Sequence, residues 1–188
     1  SVELSFKDNK IKGEFIITKE GIEGGVIYSI SSMLRENINE MGYAEIIIDL
    51  KPDFSIEKIR RLLLKPKLKL STTNYLRKIL NLSEVAIGLL MEFKNKEGKY
   101  NQQISNLAHT IKSYKIILDK PFSIDRCIST AGGISFKSIN KDFTLINKPN
   151  TYVAGEMLDW EAPTGGYLLQ ACISNGAFVA NNIIKKNR

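Results

Sequence analysis

The sequence is poor in the residues that build metal centres, disulfide frameworks and hydrolytic triads. It contains two cysteines, Cys127 and Cys172, and one histidine, His109. Disulfide frameworks and zinc sites need more such residues, and a lone histidine cannot complete a triad without partners. Both cysteines lie in apolar segments, so we predict buried free thiols, a reducing cytoplasmic location and no metal. His109 lies in a helical pattern and is predicted to be a surface or helix-packing residue.

Long apolar runs and closely spaced glycines are also missing. No apolar run approaches the roughly 20 residues of a membrane span, so we predict no membrane partner. None of the thirteen glycines are spaced Gly-x-Gly, so the Gly-x-Gly-x-x-Gly fingerprint of dinucleotide-binding folds is absent. The net charge is +7, and the densest basic run, 58–70, alternates with leucines. We interpret that run as the solvated face of a helix plus a turn, and predict no nucleic-acid partner.

The first 118 residues predict a β-rich part followed by a helical part. Residues 1–50 contain three strand candidates, "VELSF", "GEFIIT" and "GYAEIIIDL", with a helix starting just after Gly24 and Gly25. Residues 53–112 predict four short helices. The first has Asp53 or Ser55 as its N-cap, and Pro66 stops it. The next two also open on serines, and "YKIIL" at 114–118 returns to strand.

Residues 119–188 have a different composition, with short apolar segments and paired glycines. We predict a strand that ends in Thr130-Ala131-Gly132-Gly133, two more short strands in "FTLI" and "TYVAGE", and a last helix from about Gly166 to Lys185. That helix is rich in small residues, which let a helix lie close to a sheet. We therefore expect it to be nearly all buried.

Three glycine-containing junctions in this part could meet a ligand. Thr164, Gly165 and Gly166 precede a helix, whose free N–H groups and positive dipole end favour an anionic or electron-rich group. Gly132 and Gly133 would let the backbone approach a ligand from a strand end, and Glu156 offers an acceptor for a sugar or ribityl hydroxyl. Turns between sheet and helix with no ligand would explain each junction alone. Three together favour a ligand site.

The stretches "TAGGISF" and "TYVAGEMLDWEAPTGGYLLQACISNGAFVA" resemble the C-terminal signature of the YhiN-like, or aminoacetone oxidase-like, family of bacterial FAD-dependent flavoproteins. Upstream, "GEFIITKEGIEGGVIYSIS" and "IIIDLKPD" resemble the insert domain of that family. The resemblance covers nearly the whole chain, and the C-terminal motif is long and specific.

The resemblance implies an α+β or α/β fold. A β-rich and helical insert domain, residues 1–118, would precede the C-terminal part of a Rossmann-like FAD-binding domain, residues 119–188. It implies that Gly155 and Glu156 sit by the ribityl and pyrophosphate of FAD, and that Gly132 and Gly133 lie against the cofactor. It also implies that the helix N-terminus lies at the flavin edge, where the helix dipole favours reduced flavin. The residues of this N-terminus are Thr164, Gly165, Gly166, Tyr167 and Leu168.

The family's first βαβ unit, with its glycine fingerprint, has no counterpart in this sequence. We therefore expect a fragment, a cleavage product or a split-gene product, whose partner is the missing N-terminal FAD-binding half, in cis or in trans. The expected function is the C-terminal portion of an FAD-dependent oxidoreductase that binds little FAD by itself. The alternative is a non-enzymatic interaction remnant. No catalytic acid, base or nucleophile can be named, and homo-oligomerisation stays open.

Overall fold

The computed structural model describes residues 1–96, 104–127, 129–162 and 165–186. In these ranges the strands are β1 (Val2–Phe6), β2 (Asn9–Gly13), β3 (Ile16–Ile17), β4 (Ile22–Glu23), β5 (Ala44–Asp49), β6 (Tyr114–Leu118), β7 (Thr144–Leu145) and β8 (Lys148–Tyr152). The helices are α1 (Gly25–Tyr28), α2 (Ser31–Met41), α3 (Ile56–Leu63), α4 (Thr72–Leu80), α5 (Glu84–Lys96), α6 (Ile104–Lys112) and α7 (Tyr167–Lys186). Single 3₁₀ turns span Ile124–Arg126, Phe136–Ser138 and Gly155–Met157.

The chain divides into two compact units. The first comprises Ser1–Ile27 and Asn37–Asp119, and the second comprises Tyr28–Glu36 and Lys120–Arg188. The mixture of helices with antiparallel sheets confirms the α+β form of the predicted fold.

The first unit is built on a four-stranded antiparallel sheet of order β2-β1-β5-β6. Strand β5 is buried at every second position, Ala44, Ile46 and Ile48, as the two-residue period of a strand requires. Leu4 on β1 is in register with Ile48 and is fully buried. These side chains define the face of the sheet that lies in the core.

Helices α3 to α6 follow β5, as predicted, and serine caps open three of them. The hydroxyl oxygens of Ser55, Ser71 and Ser83 accept from the backbone N–H three residues later, at 3.2 Å in each case. These bonds satisfy one of the free N–H groups of each helix start. The Tyr75 hydroxyl is buried and lies 2.9 Å from Leu63 O and 2.6 Å from Lys65 O. It thereby ties the end of α3 to α4, and its burial raises the pKa of Tyr75.

The second unit corrects two predictions. The predicted strand ending at Gly133 is wrong: the segment contains a 3₁₀ turn at Ile124–Arg126, and Ile134 alone forms a parallel bridge with Leu158. The expectation of a nearly buried last helix is also wrong, because Val179 alone is buried on α7. The sheet of this unit is the two-stranded β7–β8 pair, which offers too little surface to cover a 20-residue helix.

The two cysteines and the single histidine all lie at least partly exposed to solvent. Both cysteines are free, as predicted, but Cys127 is exposed and Cys172 is half-buried, so the prediction of burial is wrong. Cys127 directly follows the 3₁₀ turn rather than a buried strand. His109 is exposed on α6, and its Nε2 lies 2.9 Å from Nη2 of Arg60 on α3. It is therefore the surface histidine that the pattern predicted.

Candidate functional site

The glycine pair at 132–133 lies where two backbone segments meet at very short range. A Cβ added to Gly133 would lie 2.6 Å from Met157 O and 2.9 Å from the carbonyl carbon of Leu158. Ile134 N–H donates to Met157 O at 2.8 Å, and Asp159 N–H donates to Ile134 O at 3.0 Å. Only glycine allows this approach, so Gly133 has a packing role whether or not a ligand is present.

Glu156 lies in the 3₁₀ turn after β8, and not at the end of the strand, which stops at Tyr152. Its carboxylate oxygen Oε1 accepts from Thr130 N–H at 3.1 Å. This bond ties the turn to the loop that carries Gly132 and Gly133. The second carboxylate oxygen accepts no hydrogen bond from the described residues, so Glu156 retains acceptor capacity.

Gly155 begins the same turn in a left-handed conformation, with φ +72°. Its N–H donates to Oδ1 of Asn175 on α7 at 2.9 Å. Since the backbone N–H must donate, the amide of Asn175 is fixed with its oxygen toward Gly155. The other amide atom, Nδ2, is buried and has no hydrogen-bond partner among the described residues.

The N-terminus of α7 carries the second group of predicted residues. Gly165 and Gly166 both have positive φ, +84° and +75°, and helix α7 begins at Tyr167. Gln170 N–H donates to Gly166 O at 3.0 Å, so the N–H groups of Tyr167 and Leu168 precede the helical ladder. Thr164, the first residue of the predicted group, lies outside the described residues.

The structure therefore brings together Gly132, Gly133, Gly155 and Glu156 in one pair of interlocked turns. Gly165, Gly166, Tyr167 and Leu168 form a second cluster at the start of α7. The link between them is Asn175, which lies eight residues after Tyr167, or about 12 Å farther along the helix axis. No hydrogen bond among the described residues joins the two clusters directly.

Three of the predicted glycines have open space where a side chain would begin. At Gly132, Gly155 and Gly166 an added Cβ would meet no other atom of the described residues within 4 Å, and each of these glycines has positive φ. The left-handed conformation favours glycine, and the open space exposes the backbone on that side. The polar groups that remain for a ligand here are the second carboxylate oxygen of Glu156 and the N–H groups that precede the ladder of α7.

An ion pair and a polar cavity of the second unit do not involve the predicted glycines. Arg35 and Glu161 form a half-exposed ion pair at 2.5 Å, with a second contact at 3.3 Å. A shallow polar cavity of about 540 Å³ is lined by residues around β7 and β8, among them Asn140, Asp142 and Lys186, and by none of the predicted glycines. Within the described ranges, no group of three His, Cys, Asp or Glu side chains could hold a metal ion.

Sequence reasoning missed Asn175, which joins Gly155 to α7 through its side chain. The sequence does carry a signal for Asn175: it is an amide among small residues in a helix that was predicted to be buried. Because a buried amide needs a hydrogen-bond partner, this pattern indicates a contact with another segment. It also missed the salt bridge of Arg35 with Glu161, for which the sequence carries no local signal because 126 positions separate the two residues.

The comparison with protein families identifies the family of the chain. The family model described as "HI0933-like protein barrel and H2TH domain" matches residues 1–129 of the chain. This match covers more than half of the sequence, and the chain therefore belongs to the HI0933-like family of flavoproteins. That family is associated with FAD in general. In the described part of the chain, no helix is long and apolar enough to cross a membrane.

Proposed function

We propose that the second unit supplies the flavin-edge portion of an FAD site in a HI0933-like oxidoreductase. The observation that carries the proposal is the set of open, left-handed glycine turns in a chain of a flavoprotein family. Gly155 and Glu156 would hold the ribityl and pyrophosphate region, with Gly132 and Gly133 beside them. Thr164, Gly165, Gly166, Tyr167 and Leu168 would face the flavin edge.

The spacing of the two clusters supports an extended ligand. The turn at Gly155 and the start of α7 are separated by about 12 Å along the helix, so one compact group could not contact both. The positive end of the α7 dipole would favour negative charge at the flavin edge. FAD would supply the hydride chemistry when bound, while these residues bind and orient it.

A partner half completes the proposal. Helix α7 exposes apolar residues on one face: Leu169 is 66% accessible, Ile173 four positions later is 62% accessible, and Ile184 lies three turns farther along the same face. An exposed apolar face of this kind is typical of an interaction surface. We propose that the N-terminal dinucleotide-binding half of the family covers it, in cis or in trans.

The test is an absorbance and fluorescence titration with FAD. The 188-residue chain is measured alone and together with the N-terminal half of a HI0933-like relative. We expect weak or no binding alone and stoichiometric binding with the second half. Tight binding by the chain alone would contradict the need for a partner, whereas no binding with the partner would favour an interaction remnant instead of a redox enzyme.

A matched pair of substitutions locates the site. Gly166→Ala should weaken FAD binding in the reconstituted complex by about tenfold, or about 1.4 kcal/mol. Gly42→Ala is the control, because Gly42 also has positive φ and open space around it but lies in the first unit. Equal loss of FAD affinity in both variants would show that the effect is general destabilisation.

A further inference from the structure

The positive charge of the chain is concentrated in one segment of the first unit. Residues 58–83, which contain most of α3, the connection to α4 and all of α4, carry eight lysines and arginines and no aspartate or glutamate. The net charge of the whole chain is +7, so the remaining residues together carry one net negative charge. This segment therefore carries the net positive charge of the chain.

The connection 64–70 between α3 and α4 combines that charge with exposed leucines. Leu64 is 71% and Leu68 is 78% accessible, and the lysines Lys65, Lys67 and Lys69 alternate with them and are exposed. Within the described residues, Lys67 bonds to Thr72 and no salt bridge involves any of these three lysines. Apolar and cationic side chains thus share one short exposed segment.

The segment is held in this conformation by the core beneath it. The buried Tyr75 hydroxyl bonds the carbonyls of Leu63 and Lys65, which fixes the exit from α3. Leu68 has φ +53°, a left-handed conformation that bulky residues rarely adopt. A leucine that occupies this conformation and leaves most of its surface in water does not contribute to the core of its own unit.

We propose that the 64–70 connection binds the surface of an anionic lipid bilayer. Lysines beside a membrane are attracted by acidic headgroups, and leucines between them can enter the headgroup boundary. The prediction of no membrane partner rested on the absence of a spanning run, and surface binding needs no such run. A single-stranded nucleic acid fits less well, because Tyr75, the aromatic residue of 58–83, is buried and cannot stack on bases. A duplex would use the lysines on its phosphates and leave the exposed leucines without a role.

The experiment is co-sedimentation of the 188-residue chain with vesicles of pure phosphatidylcholine and of equimolar phosphatidylcholine and phosphatidylserine. We expect binding to the anionic vesicles alone, weakened by salt. Replacing Lys65, Lys67 and Lys69 by Gln should reduce it by about 100-fold, since each basic residue near the surface contributes about fivefold. The control replaces Lys10, Lys12 and Lys19, three exposed lysines of the same unit, by Gln and should retain most of the binding.

A second pair of variants tests the leucines. The double variant Leu64→Gln, Leu68→Asn should bind anionic vesicles about tenfold more weakly. Asn is chosen at position 68 because it tolerates the left-handed conformation, so the fold is preserved. Met41→Ser with Ile117→Ser, at exposed positions outside the segment, should have little effect. The proposal would be overturned if the chain bound neutral and anionic vesicles equally, or if it bound neither. It would also be overturned if the chain bound a DNA duplex and the double leucine variant bound that duplex with unchanged affinity.

Discussion

The two units differ in where their apolar side chains lie. In the first unit twenty of the described apolar residues are buried, including Leu4, Ile46 and Ile111, whereas in the second unit five are: Ile30, Leu34, Val153, Leu158 and Val179. The first unit has a four-stranded sheet and four helices to enclose its core, and the second has a two-stranded sheet and one long helix. The first unit therefore encloses most of the buried apolar side chains, while the second unit has hydrogen-bonded turns and exposes apolar residues along its long helix.

The largest expected effect is a difference in stability between a variant at a buried apolar residue of the first unit and one at an exposed apolar residue of the second. Ile46→Ala on β5 removes a fully buried side chain and should lower the free energy of unfolding by about 2–5 kcal/mol. Leu169→Ala on α7 removes an exposed side chain and should change it by less than about 0.5 kcal/mol. Urea unfolding followed by circular dichroism measures both. Similar losses in the two variants would show that α7 is as well packed as β5.

An intermediate effect tests whether turns hold the second unit together. Gly133→Ala places a Cβ against the backbone of Met157 and Leu158 and should cost about 1–3 kcal/mol. Gly176→Ala on α7 is the matched control: apart from the backbone of its own helix, no atom of the described residues lies within 4 Å of the added Cβ, and alanine favours a helix by up to about 1 kcal/mol. If Gly133→Ala were as stable as the parent chain by thermal unfolding, the close approach of these segments would not be essential.

The smallest effect is a dependence on pH in the turn before β7. The hydrogen bond from Thr144 lowers the pKa of Asp142, with smaller contributions from its neighbours. A lowered pKa in the folded state adds stability above the ordinary aspartate pKa, and that stability is lost as the pH falls through the folded value. Thr144→Val should therefore make the second unit less sensitive to acid below about pH 4.

Circular dichroism from pH 6 to pH 2 measures this effect, with Ser135→Ala, which removes a serine cap elsewhere in the unit, as the control. The Thr144 hydroxyl donates to Asp142 Oδ1 at 2.6 Å, and the residue itself is buried. Identical acid transitions in the parent and the Thr144→Val variant would mean that this bond does not contribute.

Local patterns predicted the first unit well. The apolar run around Ile46, the serine caps and the period of the helices are short-range signals, and the strand and helices that they predicted were confirmed by β5 and by α3 to α6. The run is continuously apolar, but β5 is fully buried at every second position only. The hairpin strand β2 was missed, because "NKIKG" has a single apolar residue and relies on pairing with β1 for its conformation.

The second unit was harder to predict because its geometry depends on contacts between distant positions. Gly133 was assigned to a strand end, but its position is set by Met157 and Leu158. The last helix was predicted within about one residue, while its exposure was not, since small residues permit burial without requiring it. The roles of the glycines and of Glu156 toward FAD stay predictions that the titration tests.

The contact between Arg60 and His109 has a consequence for spectroscopy. A guanidinium group can donate hydrogen bonds and cannot accept them, so the Nε2 atom of His109 is the acceptor and the ring proton resides on Nδ1. Because the chain contains one histidine, its imidazole ¹⁵N resonances belong to this residue without assignment. Those two signals provide a built-in reporter of whether α3 and α6 stay packed when the 64–70 connection meets a surface.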